Sequence, residues 1–223
     1  MKRRVGEWAA EWVEDGMLVG LGTGSTVFHF INRLTQRVAE GLRIQVVSSS
    51  RRTEQQAKQG GLSLADSDAL SSTDITVDGA DEIDPQYRMI KGGGGALLRE
   101  KILANISRKM VVIVDESKVV DRLGKHPLPV EILPFCREAT IDKIQKLGFR
   151  GYLRAYERDG LVKTDNENLI YDIYFESPRT TPESDHDKLI KIPGVLETGF
   201  FFNLATHVLV GKVDGTVAQL PQL

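Results

Sequence analysis

Short apolar runs alternate with stretches of helical spacing along the first half of the 223-residue chain, and this alternation limits the fold most strongly. The run from Met110 to Val114 is uninterrupted, as expected for a strand that is buried on both faces. Other strand-like runs lie at 17–21, 44–47, 62–64 and 75–77, with helix-like stretches at 26–39 and 53–58. This order predicts an α/β fold, with a Rossmann-like, mostly parallel sheet and helices on both faces.

The pattern changes after a segment with two prolines, Lys125 to Pro129. Strand-like stretches then lie at 130–133, 149–156, 168–175 and 196–201, and helix-like stretches at 138–147 and 181–192. Their βαββαβ order predicts a smaller α+β, ferredoxin-like domain. We therefore expect an α/β domain of residues 1–124 and 199–223 and a smaller domain of residues 125–198. The aromatic residues of the smaller domain are expected to take part in oligomer contacts. A strand at 207–212 is expected to return to the first sheet.

Charge and composition argue against several kinds of partner. Lys and Arg number 29 against 31 Asp and Glu, a net charge of −2, and they are scattered, which argues against nucleic-acid binding. No apolar stretch is long enough for a bilayer or a signal peptide, so we expect no membrane partner and a cytoplasmic location.

A single cysteine, Cys136, allows no internal disulfide and suits a reducing compartment. We expect its side chain to be buried or partly buried.

The segment Gly20-Leu-Gly-Thr-Gly-Ser-Thr26 follows a strand and opens a helix. Backbone N–H groups at a helix N-terminus bind phosphate, and the hydroxyls of Thr23, Ser25 and Thr26 are further candidate contacts. A dinucleotide fingerprint would need a glycine at position 25 and an acidic residue after the next strand. This chain has serines at both places, which disfavours NAD.

Two further strings predict a site at the strand ends. Asp78, Asp81, Glu82 and Asp84 place four carboxylates in seven positions directly after an apolar strand. Such a cluster needs a cation or a shared proton among its members, and Lys91 is the nearest candidate. Four consecutive glycines follow that lysine and run into a helix, which predicts an anion cradle.

The helix behind the glycines carries Glu100, whose side chain should lean back over the glycine loop. Its environment pulls the pKa in two directions, because burial raises it while Lys91 and the helix dipole lower it. A general base works best with a pKa near the working pH.

Lys118 follows the strongest strand and is predicted to be a second anion contact. A magnesium site on the carboxylates is an open alternative, although the dispersed histidines show no transition-metal spacing.

Taken together, Gly22 to Thr26, Asp78 to Ile83, Lys91 to Lys101 and Gly124 to Glu131 resemble the A type of ribose-5-phosphate isomerase. The resemblance covers essentially the whole chain. It implies an enzyme of the non-oxidative pentose phosphate pathway that interconverts D-ribose 5-phosphate and D-ribulose 5-phosphate through an enediolate. It also implies that the enzyme uses no metal or organic cofactor, that Glu100 is the base, and that the protein is a homodimer or homotetramer.

The resemblance also implies a set of substrate-binding positions. They are Thr23, Gly24, Ser25, Thr26, Asp78, Gly79, Ala80, Asp81, Lys91, Gly92, Gly93, Gly94 and Lys118. The chemistry is compatible with this set, since an aldose–ketose isomerase needs a base, stabilisation of the enediolate, and acid–base help at the oxygens. Glu100 can supply the first and Lys91 with glycine N–H groups the second. Asp81, together with Asp78, can supply the third, including opening of the sugar ring.

Two rival interpretations remain at this point. One is a sugar-phosphate sensor without catalytic activity, which would normally carry a helix-turn-helix module, and the 16 residues before Met17 are expected to leave no room for one. The other is a different sugar-phosphate isomerase, a deaminase or a magnesium-dependent enzyme on a similar sheet. Activity on ribose 5-phosphate in excess EDTA would separate the metal-free isomerase from the magnesium enzyme.

Overall fold

A computed structural model describes residues 1–156 and 160–221 of the chain. The helices in these ranges are α1 Lys2–Ala10, α2 Ser25–Ala39, α3 Arg51–Gln59, α4 Leu97–Asn105, α5 Arg137–Lys146 and α6 Pro182–Leu189. The strands are β1 Leu18–Leu21, β2 Gln45–Ser48, β3 Ser63–Leu64, β4 Ile75–Asp78, β5 Glu82–Ile83, β6 Met89–Ile90, β7 Met110–Asp115, β8 Leu128–Ile132, β9 Gly151–Leu153, β10 Ala155–Tyr156, β11 Gly160–Leu161, β12 Leu169–Ile173, β13 Val195–Thr198, β14 Phe200–Phe201, β15 His207–Gly211 and β16 Val217–Gln219.

The largest sheet has seven strands in the order β16-β15-β7-β4-β1-β2-β3. All neighbours pair in parallel except β15 and β16. Alternate residues of β7 enter two different cores: Val111 and Ile113 pack with α1 and α2, whereas Val112 and Val114 pack on the side of α4. The strand is therefore buried on both faces, and the α/β fold expected from its uninterrupted apolar run is confirmed.

A second sheet has four antiparallel strands in the order β13-β8-β12-β9. Its core includes Ile141 and Ile144 of α5 and Leu189 of α6. Along the chain the elements run β8, α5, β9, β12, α6, β13, which is the predicted βαββαβ order. A short antiparallel pair, β10 and β11, extends from β9.

Two of the predicted strands, 149–156 and 196–201, are each divided in the structure. The first forms β9 and β10 with Arg154 between them, and the second forms β13 and β14 with Gly199 between them. At Gly199 the chain passes from one sheet to another, and an added Cβ there would lie only 2.4 Å from the Lys91 carbonyl. This close approach of two backbones explains why an unbroken strand at 196–201 was the wrong expectation.

A third sheet, with three strands in the order β14-β6-β5, was not foreseen. Each of its strands has two residues, too short to give a recognisable pattern of alternation. It is nevertheless important for the site, because Lys91 follows β6 directly and donates its backbone N–H to the Gly199 carbonyl at 2.8 Å.

Cys136 is exposed, which contradicts the expectation of a buried or partly buried side chain. It is the residue before α5 and has a left-handed backbone conformation, with φ at 51°. Its carbonyl accepts the first N–H bonds of that helix, from Ala139 and Thr140. A residue at the outer end of a surface helix contributes its backbone to the helix and leaves its side chain outside the core.

Candidate active site

A cavity of about 150 Å³ lies at the carboxyl ends of β1, β4 and β7. In the sheet order, β1 connects through α2 to β2 on one side, while its other neighbour, β4, comes from later in the chain. The crevice between β1 and β4 is therefore a topological switch point, where open α/β sheets bind their ligands. The loops after these strands carry the glycine-rich and acidic strings.

The N-terminus of α2 forms part of the cavity wall. Gly24, Ser25 and Thr26 line the cavity, and no side chain among the described residues caps the first N–H groups of this helix. Lys118 lines the same cavity, and so does Lys2, which donates from Nζ to Ser25 Oγ at 2.9 Å. Helix N–H groups in a cavity that two lysines also line can bind an anion.

Thr23 joins the α2 loop to its surroundings rather than capping the helix. Its hydroxyl lies 2.8 Å from each of the hydroxyls of Ser49 and Ser50, the serines that follow β2. Its backbone N–H donates to Asp78 Oδ1 at 3.1 Å. The neighbouring Gly22 has no room for a side chain, since an added Cβ would lie 2.0 Å from Asp78 Cγ. Glycine at this position thus allows β1 and β4 to bring the loop and the carboxylate together.

Lys91 lies between two carboxylates on the inner side of the cavity. Its Nζ is 2.9 Å from Asp78 Oδ2 and 3.1 Å from Glu100 Oε2, and it also donates to the Gly79 carbonyl. Asp78, Lys91 and Glu100 are 1%, 2% and 3% exposed. Burial alone would lower the pKa of Lys91, but the charges of Asp78 and Glu100 outweigh burial and raise it. The amine is therefore held as a cation.

Glu100 lies in the first turn of α4 and is almost completely buried. Burial, followed by the negative charge of Asp78, raises the pKa of Glu100 to about 8, although Lys91 opposes the change. The sequence did not show which influence on the pKa of Glu100 is larger, and in the structure the effect of burial is. A carboxyl group with this pKa exchanges a proton readily near neutral pH, as a general base must.

Asp81 faces the same cavity from the loop after β4 and is partly exposed. Its Oδ2 accepts the Gly93 N–H at 2.8 Å, which ties the acidic loop to the glycine run. The run turns sharply here, with the Gly95 N–H bonded to the Gly92 carbonyl and φ values of 103° at Gly92 and 80° at Gly95. Residues with side chains rarely adopt such angles, so glycine is needed at both turn positions.

The two remaining carboxylates of the acidic string serve the fold instead of the cavity. Glu82 accepts the backbone N–H groups of Gly124 and His126. Asp84 accepts two backbone N–H groups and pairs with Arg88 at 2.7 Å. Of the four carboxylates in the acidic string, Asp78 is the one that pairs with Lys91, as expected. The other three have separate partners.

Most of the predicted site residues line this one cavity. They are Thr23, Gly24, Ser25, Thr26, Gly79, Ala80, Asp81, Lys91, Gly92, Gly93, Gly94, Glu100 and Lys118. Asp78 is not a lining residue and reaches the site through Lys91. Sequence reasoning missed Lys2, Val27, Val114 and Asp115. A basic residue at the start of a chain carries no signal of its own, since only packing of α1 against α2 brings Lys2 to the cavity.

Within residues 1–156 and 160–221, no group of three or more His, Cys, Asp or Glu side chains is arranged to hold a metal ion. None of the helices in these ranges combines the length and the apolar character needed to cross a membrane.

The fold and the cavity define an α/β protein whose pocket can take a small anion at a helix N-terminus and also holds a buried carboxyl group beside a buried ammonium group. A family model described as ribose 5-phosphate isomerase A (phosphoriboisomerase A) matches residues 45–215. The chain belongs to the ribose 5-phosphate isomerase A family.

Individual relatives agree with the family model. Ribose-5-phosphate isomerase A of Protochlamydia amoebophila is 47% identical over 207 residues, which cover 93% of this chain and 89% of the relative. The solved ribose 5-phosphate isomerase A of Methanocaldococcus jannaschii superposes with a TM-score of 0.92 at 37% identity, covering 99% of this chain and 97% of that one. A D-ribose-5-phosphate isomerase solved in complex with phospho-erythronic acid gives the same TM-score, identity and coverage.

Proposed function

We propose that this protein interconverts D-ribose 5-phosphate and D-ribulose 5-phosphate, with Glu100 as the base that moves a proton between C1 and C2. The observation that carries the proposal is a buried carboxyl group 3.1 Å from a buried ammonium group, in a cavity that a helix N-terminus also lines. Burial raises the pKa of this carboxyl group to about 8, which suits a base. Family membership supports the same reaction. So does the phospho-erythronic acid complex of the related isomerase, because that acid joins a phosphate to a carboxylate, which like the enediolate carries negative charge on oxygen.

In this proposal the phosphate of the substrate binds at the α2 N-terminus. Ser25 and Thr26 offer N–H and hydroxyl donors there, and Lys2 and Lys118 offer charge. The sugar then extends toward Asp81, the glycine turn and Glu100, which also line the cavity. Binding energy at the phosphate thus holds the reacting carbons next to the base, which lowers the barrier through orientation.

In the proton-transfer step, the Glu100 carboxylate removes the proton from C2 of the open-chain aldose and returns it to C1. Lys91 and the N–H groups of the glycine turn stabilise the negative charge that develops on the oxygens. Asp81 assists proton movement at the oxygens and opening of the ring. Asp78 acts through Lys91, which it holds in place and keeps charged.

A coupled assay with ribose 5-phosphate, run with and without excess EDTA, tests this function. We expect turnover to be the same in both, because the acid–base groups and the charge stabilisation come from side chains and backbone. Complete loss of activity in EDTA, restored by magnesium, would favour the magnesium-dependent alternative. No turnover under either condition would reject the isomerase.

The pH profile of kcat/KM tests the assignment of the base. Only the carboxylate form of Glu100 accepts a proton, so kcat/KM should be level above about pH 8 and fall about tenfold for each unit below it. The phosphate of the substrate titrates lower, at a pKa of roughly 6. In Asp78→Asn, loss of a charge that raises the pKa of Glu100 should move the break to lower pH. An unchanged profile from pH 6 to 9 in the native enzyme would contradict a base whose pKa is raised to about 8.

We also propose that residues 125–198 form the smaller of two domains and take part in contacts of a homodimer or homotetramer located in the cytoplasm. Three tyrosines of this region, Tyr152, Tyr156 and Tyr174, are 54%, 62% and 47% exposed. Aromatic side chains in such positions are typical of interfaces.

A further inference from the structure

Arg154 connects the four-stranded sheet to the candidate active site. It lies between β9 and β10, and its backbone is held on both sides: its N–H donates to the Ile170 carbonyl and its carbonyl accepts from Val162, each at 2.9 Å. The side chain is 17% exposed and points from the sheet toward the glycine turn. Because its backbone is fixed, this long and partly buried side chain can hold another segment of the chain in place.

One edge of the guanidinium group forms a fork with Asp172, a residue of the neighbouring strand β12. Arg154 Nε donates to Oδ2 at 2.7 Å and Nη2 donates to Oδ1 at 2.6 Å. The Asp172 side chain is 6% exposed. Two parallel charge-assisted bonds fix the plane of the guanidinium group as well as its position, which a lysine cannot do.

The remaining edge of the guanidinium group binds the glycine turn. Nη1 donates to the carbonyls of Gly92 at 3.0 Å and Gly93 at 3.1 Å. Both peptide units are trans, so each N–H points away from the carbonyl that Arg154 holds. The N–H of the first unit donates to Asp81, and the N–H of the second belongs to Gly94, which lines the cavity.

We propose that Arg154, oriented by Asp172, is a positioning residue for the isomerase reaction: it fixes two successive peptide units so that their N–H groups face Asp81 and the enediolate. This proposal rests on the proposed function. Glycine peptides rotate at little cost, and the turn has no side chains of its own to select one orientation. The guanidinium group, which extends from the four-stranded sheet, holds the two peptide units in one orientation. Its charge also polarises both carbonyls, which strengthens the N–H groups as donors.

The role predicts a specific pattern of losses. Arg154→Lys keeps the charge but has only three donors for the four bonds that Arg154 makes to Asp172 and the two carbonyls. Asp172→Asn keeps the shape but weakens the fork. We expect each variant to lower kcat by about tenfold to a hundredfold with little change in KM, somewhat less than the loss of a whole oxyanion donor. The double variant should be no worse than the more impaired single variant, because the two residues act as a unit.

Two ligands separate positioning from general damage to the site. Affinity for phospho-erythronic acid should fall by the same factor as kcat/KM, because its carboxylate needs the oriented N–H groups. Affinity for inorganic phosphate, measured by inhibition, should stay within twofold. Arg150→Lys is a matched control, since Arg150 lies just before β9 and is exposed, and it should behave like the native protein.

Several results would overturn the inference. Native kcat in Arg154→Lys and Asp172→Asn would do so, and so would an equal loss of affinity for phosphate and phospho-erythronic acid, which would indicate a structural role only. Thermal unfolding of each variant shows whether it is folded, and Asp172→Asn provides the test if Arg154→Lys is not. If the native protein itself does not isomerise ribose 5-phosphate, it is the proposed function that fails.

Discussion

Replacement of Glu100 by glutamine should abolish isomerisation, with kcat reduced roughly a thousandfold or more. Glutamine has nearly the same shape as glutamate but cannot accept the carbon-bound proton. Affinity for inorganic phosphate should stay nearly native, because other residues form the proposed phosphate-binding site at the α2 N-terminus. Steady-state kinetics together with inhibition by phosphate measure the two effects separately.

The same variant should be at least as stable as the native protein, and more so at high pH. The pKa of Glu100 is about 8 in the folded protein and near 4.5 without its surroundings, so the folded state binds the extra proton between these values. Stability from this group therefore declines as the pH rises from about 4.5 to 8, and glutamine removes that decline. Glu138→Gln is a suitable control, since Glu138 also lies in a first helical turn but is 78% exposed. Near-native turnover in Glu100→Gln would show that another group is the base.

Replacement of Lys91 by methionine should cost both activity and stability. The substitution leaves Asp78 and Glu100 buried next to each other without a cation, and breaking a buried ion pair in this way typically costs about 3–5 kcal/mol. Turnover should fall by at least a hundredfold, because the enediolate loses its ammonium group. Urea unfolding and kinetics at pH 8 measure the two losses.

The pH dependence of this loss identifies its electrostatic origin. Without Lys91 the pKa values of both carboxyls rise further in the folded state, so the folded protein binds more protons than the unfolded chain. The loss of stability should then be largest near pH 8 and smaller near pH 6. Lys91→Met combined with Glu100→Gln should recover much of the stability and none of the activity. Lys58→Met, at an exposed helix position, should change the stability by less than about 0.5 kcal/mol. A loss in Lys91→Met that does not change with pH would indicate lost packing instead.

The parts of the fold that sequence patterns predicted are those in which one segment determines its own environment. The apolar run of β7 needs cover on both faces whatever surrounds it, and α2 shows its buried face in its own spacing. The three-stranded sheet could not be found in this way. Its strands have two residues each, and Ile90 pairs with Glu82 on one side and with Phe200, far along the chain, on the other.

The same distinction applies to the site. Glu100 and the glycine turn were predictable because a helix places its first turn over the loop before it. The different partners of the four acidic residues were not predictable, because Glu82 bonds to the 124–126 segment and Asp84 pairs with Arg88. Lys2 and Arg154 were missed for a similar reason, since both reach the cavity region from elements distant in sequence. A lone basic residue gives no sign of such a contact.

Deuterium uptake from D₂O during isomerisation tests the central role of Glu100 most directly. With the native protein, NMR of the sugar phosphates should show deuterium entering at C1 of ribulose 5-phosphate and C2 of ribose 5-phosphate, because the proton on Glu100 exchanges with solvent between its two transfers. Glu100→Gln should show uptake at least about a thousandfold slower. Uptake in Glu100→Gln at the native rate would contradict the account, since the proton would then be carried by a different group.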